Sequence, residues 1–337
     1  MEKREILTRP AAASGLLGVA LALPWLVGPY GVHLLSLALI FSVFAVGYNV
    51  LFGHTGIVSF GHGIFFGVPA YFMGMLVSSS LHVTNPAVLI ATAIIAGLLL
   101  GGAVGWVCSF SRGIYLAIIT FALAQIVELI VLSDPGGLTR GESGIVGLRP
   151  PPIAIGGHSL NLFSGVGLYY VAVAALAIVL VMMRFLLRSQ WGQVFHAVRE
   201  NEQRLLSLGY HTRSYKVLAF CISGGVSAVA GCLLAFLNNI VSPSMVHWHV
   251  GAEILLITVL GGSATLFGPI LGAFVVVFTE AFATTLVGDG NWIYVLGGLY
   301  IAVAMFLPGG VTPRIPTLVA SLKASWDWVL AKRATSP

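Results

Sequence analysis

The residues best suited to chemistry in this sequence are four polar side chains in the otherwise apolar segment 53–63. Four glycines are interspersed there with His54, Thr55, Ser59 and His62. Irregular, hydrogen-bonding sequence at membrane depth is tolerated where protein covers it or where it lines a water-filled cavity. The segment therefore predicts either a broken helix beside a translocation path or a turn between two helices.

Carboxylates form a second group of candidates, because Glu128, Glu253 and Glu280 all lie in apolar stretches. Intramembrane carboxylates are costly and are functional by default. Glu128 falls near the end of its stretch, where it can reach the membrane interface. Glu253 and Glu280 fall deeper in their stretches. Because no predicted span contains a basic residue that could pair with them, we favour a structural role in hydrogen bonding between helices over a proton relay.

Composition places the chain in a membrane. Of its 337 residues, 58% are hydrophobic and 8% are charged. A soluble domain carries about 25% charged residues, so a chain this apolar could not shield its surface from water. The uncharged stretches between Arg9 and Arg112 and between Arg149 and Arg184 each hold at least one run of the roughly 20 apolar residues that cross a bilayer.

We predict an all-α integral membrane protein with about ten transmembrane helices. The first candidate begins like a signal peptide, but a second follows at once, which favours a retained helix. The eighth is short enough to be re-entrant, which would leave nine. The predicted spans are 11–29, 32–52, 61–79, 86–108, 113–132, 165–187, 215–238, 246–260, 267–287 and 291–307.

Basic residues predict the orientation, because Lys and Arg concentrate in short cytoplasmic loops. Ten spans place both termini and the basic segment 189–213, here called the elbow, on one side. The loop 133–164 falls on the opposite, external side. We therefore predict one transmembrane domain at 1–316 with cytoplasmic termini, followed at 317–337 by a cytoplasmic amphipathic tail or, as the plainer alternative, a partly disordered one.

The elbow is predicted to contain a short amphipathic helix that ends at Gly209. Glu200 and Arg204 form a favourable pair one helical turn apart. Such a helix outside the bilayer needs a cover for its apolar stripe, either the ends of this chain's own helices or a cytoplasmic partner. The stripe consists of Val194, Val198, Leu205 and Leu208, with Asn201 on the same face.

Two segments of the chain are weakly alike. VLFG at 50–53 leads to SFG at 59–61, and VLGG at 259–262 leads to LFG at 266–268. Internal repeats are typical of transporters, although glycine-rich helix ends also resemble one another by chance. The similarity indicates a possible internal repeat.

The sequence lacks the motifs of several other classes. It contains no phosphate-binding loop, no H-E-x-x-H zinc motif and no serine-protease motif, so an enzyme is not indicated. It also lacks an arginine-rich voltage-sensing span and a potassium-filter motif. The three cysteines lie in apolar stretches without disulfide or metal spacing, which indicates core residues.

Several motifs, taken in order over about residues 33–311, resemble those of LivM-type permeases of ABC importers. His54 and Pro69 depart from that family's usual pattern without affecting the fold. The matching motifs are GYNVLFG at 47–53, TG at 55–56, SFGH at 59–62, RGIYLAIIT at 112–120, AVRENE at 197–202 followed by Gly209, EILL at 253–256, LGG at 260–262, FGP at 267–269 and PGG at 308–310.

The resemblance implies a heteromeric importer for branched-chain amino acids or related small solutes in the bacterial inner membrane. This subunit would pair with a LivH-type permease, two ABC ATPase subunits and a periplasmic substrate-binding protein, within membrane lipid and without nucleic acid. ATP and Mg would bind to the partner ATPases, and this chain would carry no cofactor, metal or catalytic residue. Urea, short amides or aromatic acids are alternative solutes, and a self-contained ion-coupled carrier using Glu253 or Glu280 is an alternative mechanism.

The resemblance also implies two sets of site residues. The expected translocation pathway comprises Asn49, His54, Thr55, Ser59, Phe60, His62, Tyr115, Thr120 and Glu253. The expected contact with an ATPase, through a coupling helix in the elbow, comprises Ala197, Arg199, Glu200, Asn201, Glu202 and Gly209.

Overall fold

The structure is a computed structural model that describes most of the chain. The described residues are 23–78, 85–148, 153–155, 158–160, 163, 165–263, 265–288, 291–307 and 309–312. Most of the predicted first span and the whole predicted tail at 317–337 lie outside these residues.

Within the described residues the fold is almost entirely α-helical, which confirms the predicted class. A π-helical turn, Val50–His54, directly continues the first helix. The helices are α1 Pro29–Asn49, α2 His62–Ser78, α3 Pro86–Cys108, α4 Ile114–Ser133, α5 Val166–Arg188, α6 Gln190–Ser207, α7 Thr212–Asn238, α8 Trp248–Gly261, α9 Gly268–Val287 and α10 Trp292–Phe306.

Six of these elements are long and apolar enough to cross a membrane: α1 with its π-helical turn, α3, α4, α5, α7 and α9. The helices α2, α8 and α10 are apolar but shorter. At 1.5 Å per residue, the 14 residues of α8 reach about 21 Å, less than the roughly 30 Å hydrocarbon core of a bilayer. The predicted spans from 32–52 onward therefore coincide with helices, and α8 is too short to cross the hydrocarbon unaided.

Close approach of glycines holds the centre of the bundle together. A methyl group added at Gly97 would lie 2.6 Å from the carbonyl oxygen of Gly224, and one added at Gly224 would lie 2.5 Å from that of Gly97. Gly101 and Gly105 extend the same face of α3 against Phe220 of α7. Small residues four apart let helix backbones touch inside membranes, where van der Waals packing drives association. The four-residue spacing of Gly97, Gly101 and Gly105 therefore allows the close packing of α3 against α7.

The predicted external loop contains short strands and a polar turn. Strand β1, Ile145–Val146, pairs antiparallel with a later strand, Ile240–Val241, and β2, Ile153–Ile155, pairs with β3, His158–Leu160. Asp134 Oδ1 accepts hydrogen bonds from the backbone amides of Thr139 and Arg140 and from the Thr139 hydroxyl, at 2.8–3.0 Å.

The hydrogen bonds of this turn favour the ionised form of the Asp134 carboxyl group. Desolvation raises the pKa of the Asp134 carboxyl, and the three hydrogen bonds lower it, leaving the pKa below its ordinary value. The loop is thus anchored at its start by Asp134 and farther along by the pairing of β1 with Ile240–Val241.

Candidate functional site

The polar segment 53–63 is a break between α1 and α2, and most of its residues are buried, whereas Gly56 is exposed. Thr55 Oγ1 bonds back to the carbonyl of Leu51, and Asn49 Nδ2 donates to the carbonyl of Thr265 at 2.9 Å. The wide turn Val50–His54 displaces the backbone from an α-helical path, a feature often found at functional sites. The break is therefore a defined structure held by the surrounding chain.

Tyr48 fixes the second half of the break. Its hydroxyl donates to the carbonyl of Ser59 at 3.2 Å and lies 3.3 Å from the amide nitrogen of Ser59, which donates to it. The hydroxyl of Ser59 itself is fully buried and has no hydrogen-bond partner within the described structure. One phenol thus satisfies the backbone at the point where regular helix is lost.

His62 begins α2 in an aromatic cage. Its Nε2 lies 2.7 Å from Ser223 Oγ, and that hydroxyl donates to the carbonyl of Gly47 at 2.7 Å. The Tyr48 ring meets the imidazole edge-on at 4.7 Å between centroids. Through His62, α1, α2 and α7 share one polar contact in the core.

The break also contacts α4 and α8. The amide of Phe60 donates to Thr120 Oγ1 of α4 at 3.2 Å. A methyl group added at Gly61 would lie 2.3 Å from the carbonyl oxygen of Thr120, and one at Gly251 of α8 would lie 2.1 Å from that of Phe60. The short helices α2 and α8 therefore begin next to each other, at contacts that only glycine permits.

The structure brings most of the predicted pathway residues together but does not leave them open. Six are buried at 4% exposure or less and bond within this chain, namely Asn49, His54, Thr55, Ser59, His62 and Thr120. Tyr115 is 72% exposed on α4, and Phe60 and Glu253 are partly exposed. Glu253 lies within electrostatic range of Glu280 and Tyr300.

The elbow helix α6 is kinked at Asn201, which has the extended backbone angles φ −163° and ψ 97°. Asn201 Oδ1 accepts from the amide of Arg204 at 3.0 Å and so caps the second part of the helix. Val198 and Leu205 are buried as predicted, but Leu208 is 68% exposed. Leu208 and Asn201 of the predicted stripe therefore lie uncovered by this chain.

Gly209 ends the elbow helix, as predicted. Its φ is +86°, its amide donates to the carbonyl of Leu206 at 3.0 Å, and the amide of Tyr210 donates to that of Leu205 at 3.1 Å. These two bonds form a Schellman motif, whose left-handed residue is usually glycine.

The first half of the elbow helix packs directly on the break. The Arg199 guanidinium donates to the carbonyl of Gly53, and Arg199 also packs against Gly56. His196 Nε2 lies 3.3 Å from His54 Nδ1. Sequence reasoning missed His196, because nothing in its local pattern distinguishes it from the other polar residues of the elbow.

The second half of the elbow helix is tied to the bundle through Glu202. Its carboxylate lies 2.8 Å from Lys216 Nζ and 3.3 Å from Arg112 Nε, and it accepts from the Thr212 hydroxyl at 3.1 Å. The Lys216 side chain is 3% exposed and also donates to the carbonyl of Ser111 at 3.3 Å. Sequence reasoning missed Arg112 and Lys216 as partners, since 90 residues separate Arg112 from Glu202 along the chain.

A cavity of about 520 Å³ lies between the break, the start of α4 and the elbow. Its polar lining includes Arg112, Arg199, Glu202 and Lys216, with Thr55 from the break. Apolar side chains such as Ile57, Phe60 and Val198 complete the walls.

Glu128, predicted to reach the membrane interface, is bound by two other side chains. Its Oε1 lies 3.4 Å from His247 Nε2, and its Oε2 accepts from Gln125 Nε2 at 3.1 Å. Among the described residues no group of three or more His, Cys, Asp or Glu side chains could hold a metal ion.

The fold and site define a class, a membrane permease: apolar helices surround a buried break on which an amphipathic elbow rests. The profile of the family described as "Branched-chain amino acid transport system / permease component" matches residues 31–305. The chain belongs to this family, and the resemblance seen in the sequence is confirmed.

Individual relatives agree. The chain is 31% identical over 326 residues to the high-affinity branched-chain amino acid permease protein LivM of Escherichia coli K12, covering 88% of this chain and 73% of that protein. It is 25% identical to BraD of Pseudomonas aeruginosa over 81% of this chain and 92% of the relative. Identity to LivH of E. coli K12 is 23%, over 81% and 91%. No solved structure matches.

These relatives are permease components of ABC transport systems, so this chain is a permease subunit of an ABC importer. The chain is accordingly a non-catalytic membrane subunit, as predicted. Its many apolar helices place it in the membrane as a multi-pass protein.

Proposed function

We propose that this chain is the LivM-type half of a pair of permeases that imports branched-chain amino acids or related small solutes. Its partners are a LivH-type permease, two ATPase subunits that bind ATP and Mg, and a periplasmic substrate-binding protein. The observation that carries the proposal is the direct contact of the elbow with the break, through Arg199 on Gly53 and His196 on His54.

This contact provides a route for coupling. A displacement of the elbow by a closing ATPase would move the end of α1 through the carbonyl of Gly53. The break passes that movement to α4 through Phe60 and Thr120, and to α8 through Gly251. Beyond its first turn α4 keeps an exposed face on this subunit, including Ile118, Phe121 and Ile126. This face suits a pathway formed with the second permease.

The proposed orientation places the elbow and both termini in the cytoplasm. Arg112 binds Glu202, so the α3–α4 connection lies at the same end of the bundle as the elbow. The positive-inside rule assigns that basic end to the cytoplasm, and the loop held by Asp134 to the outside.

Reconstitution tests the proposal. Proteoliposomes holding both permeases and the ATPases, supplied with the binding protein and leucine, should take up leucine only with ATP. This chain alone should show no uptake driven by a proton or sodium gradient. Robust gradient-driven uptake by the chain alone would favour the ion-coupled carrier that Glu253 and Glu280 make conceivable, and would overturn the proposal.

We expect Glu200→Arg to uncouple ATP hydrolysis from uptake while the permease pair still assembles. Glu200 is exposed on the elbow helix, and reversal of a charge at an interface costs several kcal/mol, enough to reduce uptake at least about tenfold. Uptake and ATPase rate are measured in the same proteoliposomes. The control is Glu142→Arg, the same charge reversal on the exposed opposite loop. Equal behaviour of the two variants would remove the elbow from the ATPase contact.

A further inference from the structure

The cavity beside the elbow carries an excess of positive charge. Among the described residues that line it are three cations, Arg112, Arg199 and Lys216, and one carboxylate, Glu202. Glu202 already binds Lys216 and Arg112 Nε. The side chain of Arg112 is nevertheless 47% exposed, so its two terminal nitrogens remain available to a further anion.

Backbone groups add to this positive potential. Gly113, with φ +56°, precedes α4 and offers no side-chain cap to its first amides. The first turn of α4, including Ile114 and Leu116, forms one wall of the cavity. The amino-terminal end of a helix carries a partial positive charge, which here reinforces the arginines.

Aromatic side chains mark the level of the cavity along the bundle. Trp106 and Phe110 at the end of α3 are 63% and 56% exposed, and Tyr115 at the start of α4 is 72% exposed. Arg213 lies 4.8 Å from the centroid of Phe110. Trp and Tyr concentrate at the membrane–water interface, so the cavity lies at headgroup depth.

We propose that this cavity binds the phosphate of an anionic phospholipid, with Arg112 and Arg199 as its principal ligands. The cations match the phosphate, and apolar walls formed by residues such as Ile57, Phe60 and Val198 suit the adjoining glycerol and acyl carbons. Ile114, which is 73% exposed, leads from the cavity to the outer surface of the bundle, from which a lipid can enter.

The consequence is a link between the elbow and the membrane itself. Arg199 belongs to α6 and Arg112 to the start of α4, so one phosphate would bridge the two. Basic sites at the cytoplasmic side commonly recognise anionic headgroups. The inference rests on the proposed orientation for naming the leaflet, but the binding it predicts does not depend on the solute transported.

Lipid titration of the purified full-length chain, followed by native mass spectrometry, tests this site. Phosphatidylglycerol is compared with phosphatidylcholine of the same acyl chains. We expect wild type to bind phosphatidylglycerol more tightly. Arg112→Gln should bind it about fivefold more weakly, since a basic residue near an anionic surface contributes about that factor. Arg112→Lys, which keeps the charge, should retain most of the binding.

The matched control is Arg188→Gln, which removes an exposed basic residue at the end of α5, outside the cavity lining. Equal binding of the two lipids, or equal losses in Arg112→Gln and Arg188→Gln, would overturn the proposal. Displacement of phosphatidylglycerol by inorganic phosphate at low concentration would show a site for free anions and would overturn the assignment to lipid. A failure of leucine uptake would leave all these binding results unchanged, so the two proposals are tested separately.

Discussion

Exchanging Glu202 for alanine is expected to destabilise the protein by about 3 kcal/mol, because it leaves a buried charge without its counter-ion. Lys216 Nζ lies 2.8 Å from Glu202 Oε1, and the lysine side chain is 3% exposed. The same substitution removes the bonds of Glu202 to Arg112 and Thr212. The expected result is a lower melting temperature of the purified chain in detergent, with the elbow released from the bundle.

Two further variants isolate the cause. Glu200 lies two residues before Glu202 and is exposed. Its substitution, Glu200→Ala, should leave the melting temperature nearly unchanged. Glu202→Ala combined with Lys216→Met should recover most of the loss, since an apolar residue of similar length removes the unpaired charge. If the single Glu202 variant melts like the Glu200 variant, the ion pair does not hold the elbow.

This result would separate two glutamates that the sequence treats alike. The motif AVRENE places Glu200 and Glu202 together in the expected ATPase contact. In the structure Glu200 faces outward, whereas Glu202 binds its own chain. Reversal of charge at Glu202 would therefore act first on folding, and only the Glu200 variant can report on coupling alone.

The second large effect is expected from Gly251→Ala. The added methyl group would lie 2.1 Å from the carbonyl oxygen of Phe60. Because this oxygen belongs to the backbone, the clash can be relieved only if the break or α8 moves. Overpacking of a well-packed core costs typically 1–3 kcal/mol, occasionally more, and we expect a loss of about 3 kcal/mol here. Size-exclusion chromatography of the detergent-solubilised chain after heating measures the loss.

Gly298→Ala is the matched control, since nothing lies within 4 Å of a methyl group at that position on α10. Alanine is a better helix former than glycine by about 1 kcal/mol, so this variant should be neutral or slightly more stable. Equal heat sensitivity of both variants would mean that α8 and the break are not in close contact.

Much of the fold was predictable because membrane helices are determined locally. In hydrocarbon every backbone amide and carbonyl must be satisfied within its own segment, so the uncharged run 86–108 alone predicts α3, whose observed bounds are Pro86–Cys108. The end of the elbow helix was predictable for the same reason, since it depends on a single residue, Gly209, which has a positive φ. The start of α2 at His62 lies within one residue of the predicted 61.

The lining of the site was not predictable, because its contacts join residues far apart in sequence. His62 and Ser223 are separated by 161 positions and Asn49 and Thr265 by 216. Sequence alone identified the polar residues of segment 53–63 but left open whether they line a path or fill a turn. In the structure most of these polar residues are buried by packing, while Thr55 and Phe60 also line the cavity beside the elbow.

The sequence by itself determined a multi-pass membrane protein of the permease family, its helices and its elbow, since periodicity, charge gaps and glycine positions act over a few turns. Only the tertiary structure decided which elbow residues face the bundle and which remain free. That choice depends on the kink at Asn201 and on partners such as Arg112 and Lys216, which the packing of α4 and α7 brings to Glu202. A buried ammonium requires a nearby carboxylate, and chain folding alone supplies it.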